Sequence, residues 1–260
     1  MKTIKLFAVS FICLFLFSCG NNSEEEVGPI PYITRTVDAS CTGIPVPEDT
    51  YAYPVLPGTD EWEKLSQKEM KEVLKACQVP EDILRKQSTH AVIQTLFDYP
   101  FSVSDMYSSS STLLDGFERS AEYNPAYPEL LKRKDAGTCL LERYLMLNPV
   151  GCDGATTLIT DFYEMLLAQP EFYSRLTAKE KKELVKIALE KIKIRMDFDP
   201  LLVYHNETTC LLIGRIMVSA EFASFTKEVA NNKELAQYLE TQYPYGDYDN
   251  ILSYANQFIK

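Results

Sequence analysis

The sequence predicts an all-α domain that follows an extended, proline-rich N-terminal segment. Apolar residues recur at intervals of three and four from about residue 60 to the C-terminus, and cap residues or prolines separate the runs. No stretch alternates apolar and polar residues for long enough to indicate a strand. Two architectures fit this pattern: an irregular helical bundle and a short HEAT-like α-α superhelical array.

Helix signals follow one another through the first half of the domain. Trp62 lies one turn into the first helix and is expected to fill an end of the core. Ser66 and Glu69 form a capping-box pattern before an apolar helical face. Ser88 is predicted to cap the next helix, which stops near Pro100 because proline lacks a backbone donor. The other helices of this half are predicted over 80–84 and 106–123, from 128, and from a cap at Asp135 to 149.

The second half repeats the same kinds of signal. Asp153 leads into an apolar helix that ends before Pro170, and Thr177 with Glu180 forms a second capping-box pattern. Asn206 is expected to open one helix that runs to about residue 229. A cap at 231–234 and a final helix from about 248 to 258 complete the prediction.

A faint internal repeat relates the two halves. The stretch TCLL at 138–141 recurs at 209–212, and a proline follows an apolar helix at both Pro100 and Pro170. Stacked helical units bury faces that none could bury alone, which is how α-solenoids are built. The candidate two-fold repeat covers about 88–149 and 153–220.

The N-terminus has the layout of a secretory signal. Lys2 and Lys5 precede an apolar segment that ends at Ser18, and this segment is shorter than the ~20 residues that a membrane span needs. Polar residues begin directly after Cys19, and six prolines follow before residue 58. We therefore expect a signal peptide over 1–18, an acidic and then proline-rich tether over 19–58, and the helical domain over 59–260.

The stretch LFSC at 16–19 resembles the lipobox of bacterial lipoproteins, in the looser form found in Bacteroidetes. In that family the signal is cut before the cysteine, which is then acylated, so the resemblance implies a lipid on Cys19 and a stable membrane anchor. The alternative is an ordinary cleaved signal with an incidental cysteine. The acidic run resembles the export signal of surface-displayed Bacteroidetes lipoproteins, and it comprises Ser23, Glu24, Glu25 and Glu26. Alternatively, the glutamates only keep a tether solvated and extended.

Three longer stretches resemble a group of lipoproteins of gut Bacteroidetes: YPVLPGTDEW at 53–62, VPEDILRKQST at 79–89 and LLKRKDAGTCLLERY at 130–144. The resemblance implies an exported helical domain, anchored in the outer membrane and facing the cell exterior. Because that group has no assigned activity, the resemblance transfers no catalytic residue.

The charge balance argues against a nucleic-acid partner. The chain has a formal net charge of −11, and its only run of three adjacent basic residues is at 132–134, where a helix end accounts for it. The expected partners are the membrane, through the lipid on Cys19, and a protein or glycan ligand.

Outside the signal and the lipid site, five cysteines remain: Cys41, Cys77, Cys139, Cys152 and Cys210. Because five is odd, they cannot all pair within the chain. Cys139 and Cys210 lie in apolar helical runs, where we expect small buried hydrophobes. A Cys41–Cys77 or a Cys139–Cys152 disulfide would suit an exported protein, and the sequence leaves the choice open.

The sequence shows no catalytic signature. His90 and His205, the only histidines, are expected to be surface or capping residues, and no CxxC pair supports a zinc site. Nucleophile-elbow, zincin and phosphate-loop motifs are missing. Acid pairs occur at 197/199 and 247/249, where solvation explains them. We therefore predict no catalytic, cofactor-binding or metal-binding residue.

Tyrosines crowd the C-terminal segment, and tyrosine suits binding surfaces because it buries a large ring while keeping a polar tip. Tyr243, Tyr245 and Tyr248 are the candidate ligand contacts. The alternative is that these rings fasten the last helix to the body. The sequence as a whole favours a non-catalytic binding or interaction module, with a glycan- or peptide-acting hydrolase and a structural accessory of an envelope complex as alternatives.

Overall fold

The computed structural model describes residues 39–107, 111–152, 156–243 and 245–260. Cys19 and the run Ser23–Glu26 lie outside these ranges. The described residues form helices and contain no strand, which confirms the all-α prediction. The helices are α1 (Ala39–Thr42), α2 (Asp60–Ser66), α3 (Met70–Ala76), α4 (Glu81–Lys86), α5 (Thr89–Asp98), α6 (Ser102–Tyr107), α7 (Leu113–Tyr123), α8 (Tyr127–Lys132), α9 (Ala136–Met146), α10 (Thr156–Leu167), α11 (Pro170–Tyr173), α12 (Ala178–Phe198), a 3-10 turn (Pro200–His205), α13 (Asn206–Ser219), α14 (Ala223–Asn231), α15 (Lys233–Thr241) and α16 (Tyr248–Phe258).

Two helices, α10 and α13, form the centre of the molecule. Helix α10 packs against α6, α7, α9, α11 and α13, and α13 packs against α10, α12, α14, α15 and α16. Most side chains on every face of α10 are buried, including Phe162, Met165 and Leu166. A helix that is covered on all sides belongs to the core of a bundle. Of the two architectures that fit the sequence, the irregular bundle describes the structure.

The predicted caps divide into those that form and those that do not. Thr177 and Glu180 make a complete capping box at the start of α12, and the Ser88 hydroxyl accepts from the Ala91 amide as predicted. The box expected from Ser66 to Glu69 is wrong. Ser66 ends α2 and donates its hydroxyl to the Glu63 carbonyl oxygen at 3.0 Å, so it cannot cap α3.

Two helices predicted as single runs are each divided. The run over 106–123 is two helices, α6 and α7, and the run from Asn206 is α13 and α14, whose axes differ by 112°. Glu221 has φ of 53°, and the Phe222 amide donates back to the Met217 carbonyl, which together end α13 as a left-handed C-cap does. Among the described helices, none taken singly is long and apolar enough to cross a membrane, and only the bent α13–α14 pair meets that test of length and composition together.

The proline-rich segment before α2 is folded against the body from residue 44 onward. The Tyr53 hydroxyl donates to the Thr95 carbonyl oxygen at 3.1 Å, and the Tyr51 amide donates to the Thr95 hydroxyl at 3.1 Å. Asp49 accepts from the Ser88 amide at 2.6 Å, and this bond lowers the pKa of the Asp49 carboxyl below its ordinary value. This part of the predicted tether therefore contributes contacts to α5.

A disulfide joins Cys41 to Cys152, with 5.2 Å between their Cα atoms. Both pairings considered from the sequence are wrong, because Cys77 and Cys139 are buried as free thiols in other parts of the core. Beside the bridge, the Asn148 amide donates to the Thr42 carbonyl oxygen at 2.8 Å. The bridge and this bond together fix the start of the described chain to the loop between α9 and α10.

Replacing Gly137 by alanine is expected to destabilise the fold, although alanine favours helix by about 0.5–1 kcal/mol. A Cβ atom on Gly137 would lie 2.6 Å from the Phe172 carbonyl oxygen, which is backbone and cannot move cheaply. We expect Gly137→Ala to lower the free energy of unfolding by about 1–3 kcal/mol in urea denaturation. Gly246→Ala is the control, because a Cβ there has no neighbour within 4 Å among the described residues. A Gly137 variant as stable as wild type would contradict this packing.

Candidate functional site

A cluster of charged side chains lies buried where α10, α12 and α13 meet. Asp161 and Glu164 are three residues apart on α10 and therefore share a face, and Arg195 reaches them from α12. All three side chains are 0% exposed. Arg195 Nη1 lies 3.7 Å from Asp161 Oδ1 and 3.6 Å from Glu164 Oε1. One arginine therefore faces two carboxylates inside the protein.

Hydroxyl groups supply most of the hydrogen bonds that these carboxylates accept. The Thr208 Oγ1 lies 2.8 Å from Asp161 Oδ1 and 2.9 Å from Glu164 Oε2, so its single proton serves one carboxylate at a time. Thr209 donates to Glu164 Oε2 at 2.7 Å, and Tyr144 donates to Glu164 Oε1 at 2.8 Å. These bonds reduce the large cost of burying two carboxylates.

His205 and Tyr107 both contact the remaining oxygen of Asp161. The His205 ring meets Asp161 Oδ2 through Nδ1, and the Tyr107 hydroxyl donates to the same oxygen. His205 was expected to be a surface or capping residue, but it makes no side-chain cap bond at α13 and its ring points to Asp161. Its side chain is 22% exposed, so it links the buried cluster to solvent.

Burial sets the electrostatics of the cluster. It raises the pKa of the Glu164 carboxyl above its ordinary value, and the nearby Arg195 guanidinium only partly offsets this. Burial also lowers the pKa of Lys191 to about 8. The Lys191 ammonium donates to the Leu147 carbonyl oxygen and lies 4.8 Å from the centre of the Tyr144 ring.

The arrangement around His205 has the chemistry of an oriented base. A buried carboxylate on Nδ1 fixes the ring and its tautomer, which leaves Nε2 able to accept a proton. Asp161 and Glu164 themselves are 0% exposed and cannot reach a substrate such as a sugar ring. Of His205 and these two carboxylates, only His205 can therefore be contacted by a molecule in solution.

The three tyrosines predicted as ligand contacts have different surroundings. Tyr245 is buried, and its ring stacks on Tyr238 at 5.6 Å and meets Tyr248 edge-on at 6.1 Å. These contacts hold α16 against α15, as the alternative role expects of Tyr245, and they leave its ring little surface for a ligand. Tyr243 is 60% exposed and stays a candidate contact, while Tyr248 is half-buried.

A row of large apolar side chains lies in solvent along the end of α12. Ile194 and Phe198 are one turn apart on the same flank, and Leu201 follows in the 3-10 turn with 72% of its surface exposed. Lys191 joins α12 to the end of α9 through the Leu147 carbonyl. Two more exposed apolar side chains, Leu145 and Met146, directly precede Leu147 in the chain. We call this surface the apolar ridge; it comprises Leu145, Met146, Ile194, Phe198 and Leu201.

A shallow groove of about 270 Å³ lies between α7 and α8. Its lining includes the Tyr127 ring with Glu118, Glu122 and Gln169. A ring beside acidic and amide groups is a combination that can contact a sugar, but the groove is open and shallow, so it ranks below the apolar ridge as a binding surface.

The sequence did not point to the buried cluster, although one signal was present. Asp161 and Glu164 are the only two charged residues of α10, in a run rich in apolar side chains. The acid pairs that the sequence did single out are ordinary. Asp247 caps α16 by accepting from the Asn250 amide at 3.1 Å, and Asp199 accepts from the Leu201 amide at 2.9 Å.

Comparison with family models, with curated proteins and with solved structures finds no match to this chain.

Proposed function

We propose that this protein is an outer-membrane lipoprotein, anchored by a lipid on Cys19 and displayed outward through the acidic run Ser23–Glu26. Its helical domain binds a protein partner at the cell surface. The signal layout and the lipobox-like LFSC support the anchor. The Cys41–Cys152 disulfide supports export, because such bridges persist in oxidising compartments outside the cytoplasm.

The apolar ridge is the observation that carries the binding proposal. In a chain of net charge −11, Phe198 and Leu201 leave 55% and 72% of their surfaces in water beside three other large apolar residues. Exposed large apolar side chains gathered on two neighbouring helix ends favour a protein interaction site. All five residues of the ridge are large and apolar, which suits a protein partner better than a glycan.

Protease shaving of intact cells tests the location. Wild type is compared with a variant in which Glu24, Glu25 and Glu26 are all alanine. We expect the wild-type domain to be digested and the variant to be protected. If both are protected in intact cells and both are digested after detergent opening, the domain faces the periplasm and outward display is rejected.

Site-specific photocrosslinking tests the ridge. A photoreactive residue at Leu201 is expected to give one discrete protein adduct in living cells, and Phe198→Ser in the same chain is expected to reduce that adduct at least tenfold. The matched control is a photoreactive residue at Lys193, which is exposed on a different side of α12, about 100° round the helix from Ile194. A protein adduct that includes an integral membrane complex would identify an envelope accessory. Adducts with lipid only, or with no protein, would reject the ridge as a protein-binding surface.

A hydrolase acting on glycan or peptide is the second candidate, and the Asp161–His205 pair is the observation that favours it. A histidine oriented by a buried carboxylate can act as a general base toward water. His205→Gln keeps the size and polarity of the side chain, so loss of turnover in this variant, with unchanged thermal stability, would support catalysis. Wild-type protein without turnover on a panel of surface glycans and peptides would exclude it.

A further inference from the structure

A second cluster of chemically versatile side chains lies between α5 and α9, apart from the buried charged cluster. His90 on α5 faces Cys139 and Glu142 on α9, and the ligand atoms of these three residues all lie within 4.8 Å of one another. We propose that His90, Cys139 and Glu142 bind a divalent transition-metal ion, with zinc as the ion that the ligand set suits best.

The distance between the imidazole and the carboxylate fits a tetrahedral site. Zinc binds nitrogen and oxygen at about 2.0–2.1 Å and sulfur at about 2.3 Å, so ligand atoms at neighbouring corners lie about 3.3 Å apart for N and O and about 3.6 Å apart when one of them is sulfur. The His90 Nε2 and Glu142 Oε2 atoms are 3.2 Å apart. These two groups therefore already have the separation of neighbouring tetrahedral ligands, and the Cys139 sulfur, within 4.8 Å of both, would move closer on binding.

Asp135 supplies a carboxylate beside these three ligands. It is the N-cap residue of α9 but makes no side-chain cap bond, contrary to the cap predicted from the sequence. Its Oδ2 lies 3.7 Å from the Cys139 sulfur instead, and its Oδ1 accepts from the Thr89 hydroxyl at 2.9 Å. This position suits a fourth ligand, or an outer partner that orients the cysteine.

The chemistry of the set selects the metal. A thiolate together with an imidazole and a carboxylate is a combination that zinc accepts, whereas calcium and magnesium prefer oxygen alone. Cys139 is buried, while the side chains of His90 and Glu142 are 38% and 53% exposed, so an ion can enter from solvent. Three protein ligands at an open position leave room for a bound water.

The positions of these ligands along the chain explain why the sequence did not predict the site. Zinc signatures in sequence rely on closely spaced pairs such as CxxC, but here His90 is far along the chain from Cys139. Asp135, Cys139 and Glu142 have the spacing of one helical face, but the apolar residues of α9 dominate its pattern and give no sign of a ligand set.

Cobalt titration of the tag-free full-length protein in detergent tests the proposal, under anaerobic conditions without added reductant so that Cys139 stays a thiol and the Cys41–Cys152 bridge stays intact. Cobalt bound by a thiolate gives a charge-transfer band in the near ultraviolet and visible bands of tetrahedral coordination. We expect one equivalent to saturate these bands and zinc to abolish them. Cys139→Ser should remove the charge-transfer band, and His90→Gln should weaken affinity at least tenfold.

Matched controls come from the same chain. His205→Gln removes the other histidine and Cys77→Ala removes another buried thiol, so both should bind cobalt as wild type does. Glu142→Gln changes an exposed side chain and leaves the core intact, so it tests coordination even where the Cys139 variant fails to fold. A wild-type protein without the charge-transfer band, or binding that survives in His90→Gln and Glu142→Gln, would overturn the site.

Discussion

Replacing Arg195 by methionine is expected to lower the free energy of unfolding by about 3–5 kcal/mol, because it leaves Asp161 and Glu164 buried without their cation. Both carboxylates are 0% exposed and lie within 4 Å of the guanidinium. Methionine keeps most of the apolar volume of the arginine stem. The loss therefore comes from charge more than from a cavity.

Urea denaturation of Arg195→Met against Lys193→Met gives the measurement and its control. Lys193 lies on the same helix in solvent, so its replacement should change the free energy of unfolding by less than about 0.5 kcal/mol. Adding Glu164→Gln to Arg195→Met should restore part of the lost stability, since one uncompensated charge is removed. A loss below 1 kcal/mol for Arg195→Met alone would show that the arginine does not hold the cluster together.

The pH dependence supplies a second readout of the same change. Burial raises the folded-state pKa of Glu164 above its ordinary value of 4.5. A raised carboxyl pKa contributes stability that is present below that ordinary value and is lost as pH rises through the folded-state pKa. Removing Arg195 raises this pKa further. The stability difference between wild type and Arg195→Met should therefore grow as pH increases from 4 to 7 and shrink in acid.

Replacing both Cys41 and Cys152 by alanine is expected to lower the free energy of unfolding by about 3–5 kcal/mol. The bridge closes a loop with a sequence separation of 111, and loss of a link over such a loop frees the unfolded chain considerably in the chain-entropy description. The backbone hydrogen bond between Asn148 and Thr42 beside the bridge should also weaken, because the two segments that it joins are no longer linked covalently.

Thermal unfolding with and without a reducing agent separates this effect from a packing defect. Wild type should lose stability on reduction, the Cys41→Ala/Cys152→Ala variant should be indifferent to it, and Cys77→Ala should respond as wild type does. The bridge would be shown to contribute nothing if reduction left the wild-type transition temperature unchanged.

Local signals predicted those parts of the fold in which the deciding contact is also local. The Ser88 cap, the Thr177–Glu180 capping box and the final helix over Tyr248–Phe258 depend on groups a few residues apart. The end of α13 was missed because Glu221, and not glycine, takes the left-handed position there. The charge and size of Glu221 gave no sign of that backbone conformation.

Both candidate sites are assembled by residues distant in the chain, which explains why the sequence did not disclose them. Asp161 meets His205 across 44 residues, and His90 on α5 meets Glu142 on α9 with three helices between them in the chain. The disulfide was missed for the same reason. Several cysteine pairings were possible from the sequence, and only the packing of the folded chain brings Cys41 and Cys152 close enough to bond.

The Cys41–Cys152 bond also determines how the domain would respond to mechanical load. Tension on the chain that precedes Ala39 reaches the loop before α10 directly through the covalent bridge. A partner that holds α12 would therefore pull along a path that bypasses the helices from α2 to α9. Those helices would carry no tension in the oxidised protein, and they would be the first to be drawn out once the bridge is reduced.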